Sequence, residues 1–148
     1  MKKMVFKGVS VIVFITLFFS CSKSVDINNE EAVMKDVQGI WKGYQATGKM
    51  YRHFKLSVTN DLFEGWIQTS DSKTEPVWAN APDEKGTITL NSIQQDLGNS
   101  AKYRKFAFTC SGRCCGDKSI SQLTLAKMIT YMDGEGLTID GKVKMYKQ

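Results

Sequence analysis

The chain has 148 residues with a formal net charge of +5, a length that suits a single domain. Three lysines, Lys2, Lys3 and Lys7, lie in the first seven residues, and without residues 1–20 the net charge falls by three to +2. This small excess, with no dense basic stripe elsewhere, argues against a nucleic-acid partner.

The first twenty residues have the pattern of a secretory signal. Lysines precede an apolar run over residues 9–19, and a serine stands immediately before Cys21. The run is shorter than the roughly 20 residues that a membrane-spanning helix needs, so the pattern predicts a cleaved signal peptide. Residues 17–21 (LFFSC) resemble the lipobox of bacterial lipoproteins, in which the cysteine is acylated and becomes the mature N-terminus. The resemblance implies that residues 1–20 are removed and that lipid on Cys21, such as palmitate, holds the protein to a membrane.

The residues after the cysteine indicate a destination and a tether. Ser22, rather than an aspartate, follows the lipobox, which in the commonest sorting scheme of Gram-negative lipoproteins implies delivery to the outer membrane. The periplasmic and the surface face of that membrane both stay open. We interpret residues 21–31 as a polar lipidated tether and residues 32–148 as one domain. A short helix is predicted over about residues 30–37, with Asn28 as its N-cap.

From Ile40 onward the pattern changes to strands. Apolar and polar residues alternate with period two, which is typical of antiparallel strands with one buried face. The alternating runs cover residues 54–59, 63–68, 87–91, 105–110 and 137–145. Two prolines flank residues 77–81 and predict a loop or a short edge strand there. Residues 93–101 read as loop or a single helical turn, and residues 120–132 as strand in preference to helix. Seven or eight short strands after a small helix predict a barrel or a sandwich.

A three-residue motif stands at the start of the first strand. Gly39-Ile40-Trp41, between a short helix and a meander of strands, resembles the Gly-x-Trp of the lipocalins and their fatty-acid-binding relatives. The resemblance implies a mainly β fold, a small antiparallel lipocalin-like barrel that binds a small apolar ligand. It also implies that Trp41 lies across the closed end, covered by a basic residue of the last strand, Lys142 or Lys144. The alternative is a compact barrel in which Trp41 is an ordinary core residue.

Three cysteines remain after Cys21. Cys110, Cys114 and Cys115 lie close enough in sequence to pair in an oxidising envelope. We predict one disulfide, with Cys110 bonded to Cys114 or to Cys115, and one thiol left over. Three cysteines without a nearby histidine make a poor zinc site, so we expect no metal. A redox role is the other alternative, because Arg113 would favour a thiolate, but the spacing is not Cys-x-x-Cys.

Catalytic motifs are missing from the sequence. It contains no phosphate-binding glycine loop, no Gly-x-Ser-x-Gly elbow and no His-Glu-x-x-His, so we expect neither a cofactor nor enzymatic activity. The one histidine, His53, has no identifiable catalytic partner. Tyr44, Trp66, Trp78 and His53 are the candidate ligand-binding residues, because aromatic side chains outside the core often mark binding surfaces.

Two functional hypotheses follow. The first is a lipid-anchored, non-catalytic envelope protein whose barrel binds a small hydrophobic ligand. The second is a protein–protein interaction module of the envelope, such as an inhibitor or an assembly factor. The surroundings of Trp66 and Trp78 distinguish them: a concavity favours the small ligand, and an open surface favours a protein partner.

Overall fold

Antiparallel strands make up most of the fold. The structure, a computed structural model, describes residues 25–95, 98, 100–109 and 125–148. Within these residues, two helices, α1 (Glu30–Asp36) and α2 (Leu125–Met128), accompany ten strands. The strands are β1 (Gly39–Thr47), β2 (Met50–Thr59), β3 (Leu62–Ser70), β4 (Glu84–Leu90), β5 (Gln94–Gln95), β6 (Lys102–Thr109), β7 (Ile129–Met132), β8 (Gly136–Ile139), β9 (Val143–Lys144) and β10 (Tyr146–Lys147). The predicted β-barrel class is confirmed.

The strands follow one another around a nearly closed barrel. Their order is β10-β1-β2-β3-β4-β6-β7-β8-β9, and β5 pairs with β6. The C-terminal segment brings the two ends of the sheet together, because β9 pairs with β8 and β10 pairs with β1. Between them, the buried Met145 donates its amide to Leu137 O. Gly43 permits this approach, since a Cβ there would lie 3.0 Å from Lys144 O.

In the part of the chain that the structure describes, side chains fill the interior of the barrel. Alternate residues of each long strand point inward, as the period-two pattern predicted. Together with residues of the two helices and of the last segment, they form a core whose largest side chains are less than 2% exposed: Phe54, Phe63, Leu56, Ile88, Leu125, Ile129, Leu137, Ile139, Met145, Val33 and Val37. Gly65 leaves room for Leu125, whose Cδ2 lies 2.5 Å from the position that a Cβ would take. Leu125 therefore packs directly on the backbone of β3.

Helix α1 covers one end of the barrel. Val33 and Val37 are fully buried in the core. Tyr131 donates a hydrogen bond to Asp36 Oδ2 at 2.9 Å, and burial, with this contact, raises the pKa of the Tyr131 hydroxyl. The predicted helix is confirmed, but its N-cap is Asn29, whose side chain accepts the Ala32 amide. The choice of Asn28 as the N-cap was wrong.

A buried arginine fixes the segment before α1. Arg104 donates to Ile27 O at 2.8 Å, to Asn28 O at 3.0 Å and to Asn91 O at 3.1 Å. Ile27 itself is 3% exposed. Carbonyl oxygens bonded to a guanidinium make charge-assisted hydrogen bonds, which are stronger than neutral ones. The chain is thus attached to the barrel from residue 27 onward.

Trp41 lies at the end of the barrel that α1 covers. Its Nε1 donates to Val37 O at 2.8 Å, and the ring is 6% exposed. The covering cation is Lys147, whose Nζ lies 5.6 Å from the ring centroid. The expectation of Lys142 or Lys144 was wrong, because the register pairs Trp41 with Lys147.

Two strand predictions also needed correction. Residues 137–145 are not one strand: a turn at Asp140 and Gly141, both with positive φ of 52° and 64°, separates β8 from β9. This Asp-Gly pair suits a type I′ hairpin. In residues 120–132, the part that the structure describes begins with the short helix α2 and continues as β7, so the preference for strand is right only for β7.

Candidate functional site

Three of the four candidate residues, Tyr44, His53 and Trp66, lie on the outer face of β1, β2 and β3. In one row across these strands, Lys42 pairs with Lys55 and Lys55 with Trp66; in the next row, Tyr44 pairs with His53. Each of these residues alternates with inward-facing neighbours, so all point away from the barrel interior. Within the alternating run of residues 63–68, Trp66 thus lies on the face opposite Phe63 and Ile67.

The β3–β4 loop, residues 71–83, folds back over this outer face. Trp66 donates its Nε1 proton to Ala79 O at 3.1 Å and is 6% exposed. The Ile67 amide donates to Asp83 Oδ2 at 2.7 Å. These bonds attach the loop to β3, so Trp66 forms part of the surface beneath the loop.

His53 also helps to attach the β3–β4 loop to the barrel. It is 3% exposed, and its Nε2 lies 3.1 Å from Ser70 Oγ and 2.9 Å from Ser72 O. A carbonyl can only accept, so the contact with Ser72 requires a proton on Nε2. The histidine therefore positions the start of the loop.

Lysine ammonium groups lie over the aromatic rings of this face. Lys55 Nζ lies 4.1 Å from the centroid of a Trp66 ring and 5.9 Å from that of Trp78. Lys73 Nζ lies 5.3 Å from the centroid of Tyr44. A hydrogen bond with Tyr44 raises the pKa of the Lys73 ammonium. Cations at these distances are attracted by the ring quadrupole.

Glu75 links the loop to the barrel. Its Oε1 lies 2.6 Å from Lys42 Nζ and accepts the indole proton of Trp78 at 2.6 Å. Both hydrogen bonds lower the pKa of the Glu75 carboxyl, and the bond from Lys42 has the larger effect. Trp78 is thereby held in one orientation above the barrel wall.

A concavity of about 200 Å³, named here the outer cleft, lies between the loop and the barrel wall. Its lining includes Lys42, Tyr44, His53, Lys73, Glu75, Trp78 and Tyr146. Three of the four predicted residues thus come together, while Trp66 lies under the loop. The sequence reasoning missed the cations and Tyr146. The alternation of β1, which places Lys42 and Tyr44 on one face, is the signal that could have included Lys42.

Several predicted features lie outside the described residues. They are the lipidation site Cys21 and the cysteines Cys110, Cys114 and Cys115. Within the described part of the chain, no three histidine, cysteine or acidic side chains converge as metal ligands. The two helices there are too short to cross a membrane. Comparisons of the chain with protein-family profiles, curated proteins and solved structures give no match.

Proposed function

We propose that this protein is a lipid-anchored, non-catalytic binding protein of the bacterial cell envelope, and that its ligand enters the outer cleft. The observation that carries the proposal is the concave set of aromatic rings and cations formed by Tyr44, Trp78, Lys42 and Lys73. Ligand sites are typically concave, with a few fixed polar groups among apolar walls. The outer cleft has this character, whereas the described side chains fill the barrel interior.

The size and charge of the cleft indicate the ligand class. A volume of about 200 Å³ is smaller than the roughly 300–1,000 Å³ of sites for drug-sized molecules. It suits one ring at the end of a larger molecule. Tyr44 and Trp78 offer faces for a ring. Lys73 favours a negative group on that ring, whereas the charge of Lys42 is already neutralised by Glu75. We therefore propose a ring that carries a carboxylate.

The lack of catalysis is part of the proposal. His53 is the one residue of the cleft whose type often serves as a base near neutral pH. Its Nε2 is bonded to the serine hydroxyl and the loop carbonyl and is not directed at a ligand. Glu75 is bonded to a lysine and an indole. Both groups already have positioning roles, which supports binding without turnover.

Tryptophan fluorescence tests the ligand site, because Trp78, unlike Trp41 and Trp66, lines the outer cleft. We expect glucuronate and benzoate to change the emission saturably, and glucose and benzyl alcohol to do so much more weakly. Tyr44→Ala should weaken carboxylate binding by about tenfold, since aromatic anchors in a pocket carry much of a binding energy. Leu62→Ala, an exposed position on β3 outside the cleft, is the matched control. Equal affinities in the two variants, or no saturable change with either carboxylate, would refute the site.

Membrane partition tests the anchor. The expectation rests on the lipobox resemblance of residues 17–21. Ile27, which is attached to the barrel, follows Cys21 by six residues. Six residues span at most about 20 Å, so the lipid would hold the barrel close to the membrane surface. We expect Cys21→Ser to abolish acylation and to leave soluble or unprocessed protein. Unchanged membrane partition of that variant would contradict the anchor but leave the outer cleft unaffected.

A second candidate function is a protein-interaction module. The observation that favours it is an apolar rim beside the cleft: Val77 is 95% exposed, Tyr146 60% and Tyr44 39%. The half-buried position of Trp78 in a concavity favours the small ligand instead. A stoichiometric envelope protein captured by the native chain and lost with Val77→Asp would support the interaction module.

A further inference from the structure

A second concavity lies on a different part of the barrel wall. Its volume is about 330 Å³. It is formed by the outer faces of β6 and β7, by α2 and by the turn between β8 and β9. None of the described residues that line it also lines the outer cleft. We name it the lysine cleft, because Lys105, Lys127 and Lys142 line it, together with Met128, Met132 and Tyr103.

The walls of the lysine cleft are held in place by backbone contacts. Tyr103 and Met132 are register partners on β6 and β7. The Asp140 amide donates to Met128 O at 2.7 Å, which joins the turn to α2. At Gly141 a Cβ would lie 3.6 Å from Met132 Sδ. The methionines and the turn therefore form a fixed boundary of the cleft.

The floor of the lysine cleft is buried, and its hydroxyl group already has a hydrogen-bond partner. Thr130 lines the cleft and is 5% exposed, and its hydroxyl lies 2.8 Å from the hydroxyl of Thr138. A buried hydroxyl that has its partner needs no further ligand group. The floor thus contributes to the shape of the cleft, and the lysines at its edge are the groups that would bind the polar part of a ligand.

The charges around the cleft are unbalanced. The described residues that line it include three lysines and one carboxylate, that of Asp140. Lys105 comes from β6 and Lys142 from the β8–β9 turn, and neither has an ion-pair partner within the part of the chain that the structure describes. Like charges brought together in a concavity repel one another and favour an anion between them.

We propose that the lysine cleft binds a phosphate ester with a short alkyl portion. The phosphate lies between Lys105 and Lys142, since lysine binds phosphate as a point charge. The alkyl portion packs on Met128 and Met132, whose unbranched thioethers adapt to irregular apolar shapes. A phospholipid and a free phosphate monoester both present this chemistry. The proposal does not depend on the function of the outer cleft.

Calorimetric titration of the purified full chain tests the proposal. The probes are hexyl phosphate, inorganic phosphate and hexanol. We expect hexyl phosphate to bind about tenfold more tightly than inorganic phosphate, because the alkyl chain buries apolar surface. Hexanol should show no measurable heat of binding. Lys105→Gln combined with Lys142→Gln should weaken hexyl phosphate binding by at least about tenfold. Lys35→Gln combined with Lys49→Gln makes the same change in net charge elsewhere and is the matched control.

Each result has a defined consequence. Equal weakening in the two double variants would mean that only net charge matters and would overturn the proposal. Absence of hexyl phosphate binding to the native chain would overturn it as well. Met132→Gln should reduce the preference for hexyl phosphate over inorganic phosphate, and an unchanged preference would overturn the assignment of the alkyl portion.

Vesicles then distinguish the two sources of phosphate. If the ligand is a lipid, vesicles of phosphatidylglycerol in phosphatidylcholine should compete with hexyl phosphate, and vesicles of phosphatidylcholine alone should not. If it is a free ester, neither vesicle should compete and the hexyl phosphate affinity should stay intact.

Discussion

Replacement of Arg104 by methionine is the sharpest test of how the N-terminal segment is attached. The substitution removes three hydrogen bonds to backbone carbonyls, of which the bond to Ile27 O is buried. A buried acceptor left without a partner costs about 1–3 kcal/mol, and each of the two part-buried bonds contributes about 1 kcal/mol. The contact with Glu30, at 3.6 Å and half exposed, adds little. We expect a loss of about 3–5 kcal/mol in the free energy of unfolding.

Urea unfolding followed by circular dichroism measures this loss. With a slope of about 1–3 kcal/mol per molar urea for a domain of this size, the midpoint should fall by about 2 M. Lys102→Met, on the same strand and exposed, should move it by less than about 0.3 M. Amide exchange should quicken at Val33 and Val37 in the Arg104 variant. A midpoint within the range of the Lys102 control would refute the assigned role of Arg104.

Three further predictions concern other parts of the chain. Gly43→Ala should destabilise the fold by about 1–3 kcal/mol in urea unfolding, because its Cβ would lie 3.0 Å from Lys144 O; an unchanged midpoint would contradict the close approach of the last segment. The pKa of Glu75 is lowered from 4.5, so its stabilising contribution is present above that pH and is lost as the pH falls through its lower folded pKa. Trp78 emission should therefore stay constant down to pH 4.5 and change only below it, with the pH-dependent change absent in Glu75→Gln. Finally, mass spectrometry after non-reducing digestion should find one disulfide within residues 110–115, and three free thiols in protein from an oxidising envelope would contradict it.

The turns between strands show which parts of the fold can be predicted from local residue type and which cannot. Glycine and asparagine are residue types that favour turns, and Asn60 and Gly48 do occupy turns, with positive φ of 56° and 63°. The turn at Asp140 and Gly141 was missed, although it carries the same Asp-Gly signal. The apolar alternation continues on both sides of it, from Leu137 to Met145, and conceals the break. Residue type misleads in the opposite direction at Gly86, because glycine favours turns but this one lies within β4.

The candidate site could be predicted only in part. Alternation along β1 and β2 places Tyr44 and His53 on the outer face without any knowledge of the tertiary structure. No local pattern shows that the β3–β4 loop returns to the barrel, because its contacts join residues distant in sequence. The hydrogen bond between His53 and Ser72 O joins residues 19 positions apart, and the bond from Trp66 to Ala79 O joins residues 13 positions apart. The outer cleft exists only because these contacts form.

The sequence by itself determined the β class, the buried face of the alternating runs and the presence of a short helix before the strands, because these follow from periodicity and residue type within a few positions. Only the tertiary structure decided that Lys147, and not Lys142, lies over Trp41, and that Lys105 of β6 and Lys142 of the β8–β9 turn line the same cleft. Such pairings depend on strand register and loop packing. Register is selected by the summed burial of many distant side chains, and no short segment of the sequence contains that sum.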